Sequence, residues 1–119
     1  MLPEWTPRSN VWLEVDGKVA FSRWRAELLL AVEQTGSISG AAKEMGIQYR
    51  LAWQRINEME KRLDVSLVEP RVGGKGGGGS ELTPFAFRLI ERFDKMAKEI
   101  DLCTIEQNRL HLNDLIQEK

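Results

Sequence analysis

The chain has 119 residues, 42% apolar and 29% charged, which makes one globular domain by length and excludes a disordered or fibrous chain. Its 17 Lys and Arg against 18 Asp and Glu exclude the uniformly basic surface of a sequence-blind nucleic-acid binder and leave any such function to a local patch. No apolar run approaches a membrane span, and Leu2-Pro3-Glu4 lacks the start of a signal peptide, so no membrane association and a cytoplasmic location are expected.

Residues 1–10 contain two prolines and read as an extended lead-in, with Trp5 packing onto the body. Val11 to Val15 alternates with period two. Asp16-Gly17 then supplies a two-residue hairpin turn, whose geometry needs φ > 0 at both positions. Lys18 to Phe21 returns as the second strand, and Val11, Leu13 and Val15 form the face expected to be buried. Ser22 is placed to cap a helix over Arg23–Gln34, with Trp24, Leu28, Ala31 and Val32 as its core stripe and Gly36 as its stop.

Residues 37–63 are written as a helix-turn-helix. A short Ala-rich helix is predicted over Ser39–Met45, capped by Ser39, with Ala41 and Ala42 small enough for a close crossing. Gly46 can take φ > 0 and turn the chain, and Ile47 anchors the turn. A second helix follows from Gln48 to Leu63, buried through Ala52, Ile56, Met59 and Leu63. Gln48, Tyr49, Arg50, Trp53 and Gln54 are then left facing outward near its start. Two ordinary helices around a Gly turn would share this spacing. Against that, no acid occurs from Met45 to Asn57, a window holding Arg50 and Arg55, where a solvated face would carry Glu and Lys.

Asp64 ends this helix, and Val65 and Leu67 return to the core. Leu67–Val72 and Glu81–Thr83 read as two short strands around GGKGGGGS. A hairpin directly after the second helix is a wing, and Lys75 stands at its tip. The same run could be a flexible linker or a phosphate cradle, but it interrupts a strand–turn–strand pattern and lacks the Gly-Lys-Ser/Thr ending. Pro84 suits a first helical turn. Ala86, Leu89, Ile90, Phe93, Met96, Ala97, Ile100 and Cys103 then repeat at seven-residue spacing, more apolar surface than one small core needs, which predicts pairing with a second copy. After Thr104 the register shifts, predicting a bend and a further amphipathic helix. The organisation expected is a lead-in at 1–10, a winged helix-turn-helix domain at 11–103 whose long helix starts at about 84, and an amphipathic extension at 104–119.

Cys103 is the single cysteine, cannot form an intrachain disulfide, and is expected as a buried thiol. His111 is the single histidine and has no metal-spaced partners. No nucleophile–base pair can be proposed from them, so an enzyme is not the expected reading.

The words TGSISGAAKEMGIQYRLAWQRINEME and VGGKGGGGSELTPFAFRLIERF resemble the N-terminal DNA-binding domain of the molybdate-responsive transcription regulators, the ModE family. The winged architecture is similar to that of LysR-type regulators. The resemblance covers roughly Val11 to Met96. It implies a mainly α fold with small β-hairpins, a winged helix-turn-helix with a long C-terminal dimerisation helix. Carried over by position, it implies major-groove contacts from Gln48, Tyr49, Arg50, Trp53 and Gln54. It implies backbone contacts around Ser37, Ser39, Arg71, Lys75 and Thr83, and a homodimer through the first and last helices, with Leu89, Phe93, Met96 and Ile100 in the interface. Full-length members continue into a molybdate-binding portion that these 119 residues do not include. No cofactor and no tight molybdate binding are therefore expected here, and a separate effector-binding protein is one possible partner.

The partners expected are double-stranded DNA and a second copy of the chain. Arg50 suits a guanine, Gln48 and Gln54 an adenine or the backbone, and Tyr49 a thymine methyl; Trp53 fits packing or readout. The alternative is a winged-helix protein-interaction module, or a co-regulator that does not bind DNA specifically.

Overall fold

The structure, a computed structural model, describes residues 3–72 and 78–118. Lys75, placed at the wing tip from sequence, lies outside the described residues. The chain forms two compact units, Trp12–Glu91 and a second made of Met1–Val11 with Arg92–Lys119.

The larger unit opens with an antiparallel hairpin, β1 (Trp12–Val15) and β2 (Lys18–Ser22). Asp16 and Gly17 both take positive φ, as the turn requires, and a register shift falls between Leu13 and Glu14. Along β1 the burial alternates, with Leu13 and Val15 half-buried and Trp12 and Glu14 exposed. Helix α1 (Arg23–Thr35) starts where the Ser22 side chain accepts the Arg25 N–H and stops at Gly36, whose backbone is left-handed. Its buried stripe differs from the expected one. Trp24 is exposed, and Arg25 lies inward with Leu28, Leu29 and Val32.

Helix α2 spans Ile38–Met45 and α3 spans Tyr49–Leu63, joined through Gly46 at φ 68°. The cap of α2 is Ser37, not Ser39. Gly36 ends α1 and Ser37 begins α2 with no residue between them, so Ser37 holds the extended backbone and its Oγ accepts the Gly40 N–H at 2.8 Å. Ser39 is already inside the helix. Helix α3 is buried through Ala52, Ile56 and Met59, and Asp64 ends it in the left-handed region. Helix α1 packs on α2, and α2 on α3. Phe21, Leu28, Leu29, Val32, Ile56 and Met59 fill the core between them.

A second hairpin follows, β3 (Val68–Pro70) with β4 (Ser80–Leu82), antiparallel with Val68 opposite Leu82. Two carboxylates seat it. Glu60 Oε2 accepts the Leu67 and Val68 N–H groups at 2.8 and 3.2 Å, and Glu33 Oε2 accepts the Leu82 N–H at 2.8 Å. Helix α4 begins at Pro84 and runs to His111.

In the smaller unit the expected bend after Thr104 does not occur. Thr104 Oγ1 donates to the Ile100 carbonyl one turn back, which a helix accommodates, and the Glu106–Arg109 pair spans the next turn. The hydrogen bond from Arg109 lowers the pKa of the Glu106 carboxyl, and the same bond raises that of the Arg109 guanidinium, both side chains being exposed. A short helix α5 (Leu115–Glu118) follows. Ser9 hydrogen-bonds Asp101. Trp5, Thr6 and Pro7 face Ile100, Cys103 and His111 across a groove of about 610 Å³. Cys103 is exposed, a correction to the buried thiol expected from its apolar helical position. No helix among the described residues is long and apolar enough to cross a membrane.

Candidate nucleic-acid interface

Helix α3 sorts its residues by phase. Ala52, Ile56 and Met59 point into the core; Arg50 and Gln54 lie opposite them, while Trp53 on the flank and Tyr49 in the first turn also remain exposed. These four line a surface concavity of about 380 Å³. Tyr49 is 53% and Trp53 48% exposed. Gln48 is exposed at the N-cap and makes no side-chain capping bond. The first turn holds no acid, and Lys61 and Arg62 occupy the last turn. The helix dipole therefore presents its positive end beside Arg50, with no carboxylate on the first turn to cancel it.

Arg50 and Arg55, both candidates on charge, have different surroundings. Arg55 Nη1 is 2.8 Å from Glu58 Oε1, committed to its own helix. Arg50 has no ion pair or side-chain hydrogen bond among the described residues, which leaves its guanidinium for a partner.

Behind this face Glu58 joins three guanidinium groups. Its Oε2 lies 3.3 Å from Arg25 Nη2 and 3.6 Å from Arg62 Nη1. Arg25 Nη1 also donates to the Arg55 carbonyl at 3.2 Å, and Arg62 Nη1 to the Val19 carbonyl at 2.6 Å. One carboxylate thus ties α1, α3 and β2 together. Arg25 is only 8% exposed, and its pKa is lowered by that burial, with Glu58 acting in the opposite sense. Sequence reading missed this cluster. Its signal was Arg25 standing in phase with Leu28, Leu29 and Val32.

The wing base meets the α1–α2 turn. The Ser80 N–H donates to the Gly36 carbonyl at 2.8 Å, and the Arg71 N–H to the Gly79 carbonyl at 3.0 Å. The Arg71 guanidinium lies against Gly36, so that a Cβ there would stand 3.1 Å from Nη1. Ser37, Ser39 and Arg71 thereby come from the turn and the wing base that abuts it. Thr83 is not available in the same way. It is 7% exposed, its hydroxyl donates to the Ser66 carbonyl at 2.9 Å and accepts the Ala86 N–H at 3.2 Å, so it caps α4 instead of facing outward. Phe93 is likewise 6% exposed, which removes it from the outward-facing apolar set; Leu89 and Ile100 are half-buried and Met96 is exposed.

Residues 25–86 match the family described as bacterial regulatory helix-turn-helix protein, lysR family. The chain belongs to that family. Over 108 residues this lysR-family chain is 40% identical to the DNA-binding transcriptional dual regulator ModE of Escherichia coli (strain K12), covering 87% of the chain and 41% of that protein. It is 44% identical over 69 residues to the molybdenum-pterin-binding protein MopB of Rhodobacter capsulatus, covering 58% of the chain and 26% of that protein. It therefore spans about two-fifths or less of the length of these two relatives. Among solved structures it is similar to the BenM DBD in complex with benA site 1 DNA, with a TM-score of 0.52, 20% identity, and 73% and 95% of the two chains covered. The CbnR DBD in its DNA complex gives a TM-score of 0.52 at 21% identity, covering 73% and 93%. The fold is a winged helix-turn-helix with a long C-terminal helix.

In this lysR-family chain the contact between wing and turn depends on two glycines. Gly36 sits at φ +83°, where a Cβ is strained and would also press on Arg71. A Cβ on Gly79 would stand 2.8 Å from the Gly36 carbonyl oxygen, which is backbone and cannot rotate away. Gly79→Ala is expected to push the wing off the turn and cost about 1–3 kcal/mol of stability, as overpacked sites do. Thermal unfolding of the variant checks this; an unchanged midpoint would mean that the wing base relaxes freely.

Proposed function

We propose that this chain is a DNA-binding transcription regulator that reads the major groove with the start of α3 and holds the sugar–phosphate backbone with the wing base and the α1–α2 turn. The observation that carries the reading is the exposed, acid-free face of Tyr49, Arg50, Trp53 and Gln54, with Arg50 unpaired among the described residues. Membership of the lysR family supports it, as do relatives named as transcriptional regulators and fold neighbours solved with DNA. Gln48 and Gln54 suit purine edges, while Ser37, Ser39 and Arg71 set register on phosphate. Such an activity places the chain with the chromosome, in the cytoplasm.

The test is a binding titration on fragments selected from random duplexes, repeated over several salt concentrations. Phosphate contacts release counterions, so log K should fall linearly with log salt, by about 0.9 for each phosphate contacted. Binding without preference for any selected fragment would sink the reading.

The same reading includes a homodimer through α4. Met96, Leu102, Ile105 and Leu110 are exposed apolar residues along the later turns of this helix, where a monomer would be expected to carry polar ones. Sedimentation at micromolar concentration is expected to give a species of twice the 13.6 kDa chain mass. A single species at the chain mass would contradict it.

A further inference from the structure

The outward face of α3 carries apolar surface as well as charge. Residues four apart on a helix stack one above the other, with Cβ atoms about 5–6 Å apart. Tyr49 and Trp53 therefore form an aromatic row, and Arg50 and Gln54 form a polar row beside it, both lining the same concavity. Tyr49 and Trp53 stay half in water, although this unit buries Phe21, Leu28 and Ile56 completely or nearly so. A face meant only for phosphate has no use for two aromatic rings, whose burial is favourable. A face meant for an apolar protein groove has no use for an unpaired guanidinium at the positive end of a helix.

The occupant that satisfies both rows is the major groove of a duplex. There the base edges offer hydrogen-bond donors and acceptors, and the apolar group is the C5-methyl of thymine. We infer that the Tyr49–Trp53 row is a notch for thymine methyl groups, working beside Arg50 as a second determinant of sequence preference. This rests on the proposal that α3 enters the groove. Within the aromatic row a spacing of about 5–6 Å against 3.4 Å per base pair lets the two rings span roughly two base pairs.

The experiment removes the methyl and nothing else. In the best selected fragment, each thymine is replaced singly by deoxyuracil, which keeps every hydrogen-bonding edge. Affinity is expected to fall about three- to fivefold at one or two positions, the effect of burying one methyl group. Trp53→Ala should abolish that discrimination, and Tyr49→Phe should keep it, because the ring and not the hydroxyl covers the methyl. Far-ultraviolet circular dichroism confirms that the variants stay folded. Tight, sequence-specific binding that is indifferent to every deoxyuracil overturns the notch and leaves the groove reading standing. So does a discrimination that survives unchanged in Trp53→Ala. Failure to prefer any duplex overturns both.

Discussion

Replacing Glu58 by Ala is expected to lower the stability of the folded chain by about 2–3 kcal/mol. The change strips the partner from Arg25, whose side chain is 9% exposed. Removing one member of a buried pair costs about 3–5 kcal/mol, because the remaining charge keeps its desolvation penalty without compensation. Glu58 keeps 30% of its side chain in water, so the cost falls at or just below the lower end of that range. Arg25 has no easy escape by deprotonation. Burial lowers its pKa, yet an arginine remains charged throughout the working pH range, so the penalty is constant there. The loss also frees Arg55 and Arg62 and loosens α3 against α1 and β2. Urea unfolding measures the effect. The double change Arg25→Met with Glu58→Leu should recover most of the stability, since well-packed apolar groups commonly replace such pairs at little cost. If Glu58→Ala costs less than 0.5 kcal/mol, a limit taken from ordinary surface changes of about that size, the cluster is a surface feature only.

Arg50→Ala is expected to leave stability within about 0.5 kcal/mol and to cost about 1–3 kcal/mol of specific DNA affinity, with relaxed preference at one base position. The reason is its isolation. Its guanidinium is exposed and has no partner among the described residues, so nothing in the fold is lost with it. A guanidinium that meets O6 and N7 of guanine is lost together with two directed hydrogen bonds. Arg71→Ala supplies the contrast. Arg71 lies at the wing base beside Gly36, where it suits phosphate. Its loss should weaken all sequences alike and lower the salt slope by about one unit. Paired titrations on the best site and its single-base variants separate the two. If Arg71→Ala changes base preference while Arg50→Ala does not, the roles of α3 and the wing are exchanged.

Much of the framework is local and was readable without the structure. The Asp16-Gly17 turn, the Ser22 cap, the Gly36 and Gly46 stops and the apolar spacing of Ala52, Ile56 and Met59 each depend on residues within a few positions of one another. The same periodicity separated Arg50 and Gln54 from the core, because the buried face of a helix fixes its opposite face, whereas Tyr49, in phase with Ile56, is exposed through its place in the first turn. Residues that compete for one local role were harder. Ser37 and Ser39 both precede helical sequence, and the choice of Ser37 follows from Gly36 closing α1 directly before it.

What the tertiary structure alone decided are the contacts between distant residues. A charged Arg25 reads as surface until Glu58, 33 positions on, comes within 3.3 Å of it and makes its burial tolerable. Trp24 is then left exposed at the edge of the buried stripe, which runs through Arg25 and Ala26 to Leu28 and Leu29. Thr83 reads as a wing residue until the Ser66 carbonyl and the Ala86 N–H engage its hydroxyl. Gly79 reads as one glycine in a run until the Gly36 carbonyl comes too close for any side chain there. Hydrophobic periodicity reports which side of an element is buried, and hydrogen-bonded caps report where it ends. Neither reports which distant group neutralises a charge or fills a hydrogen bond, because that depends on where folding places the other elements.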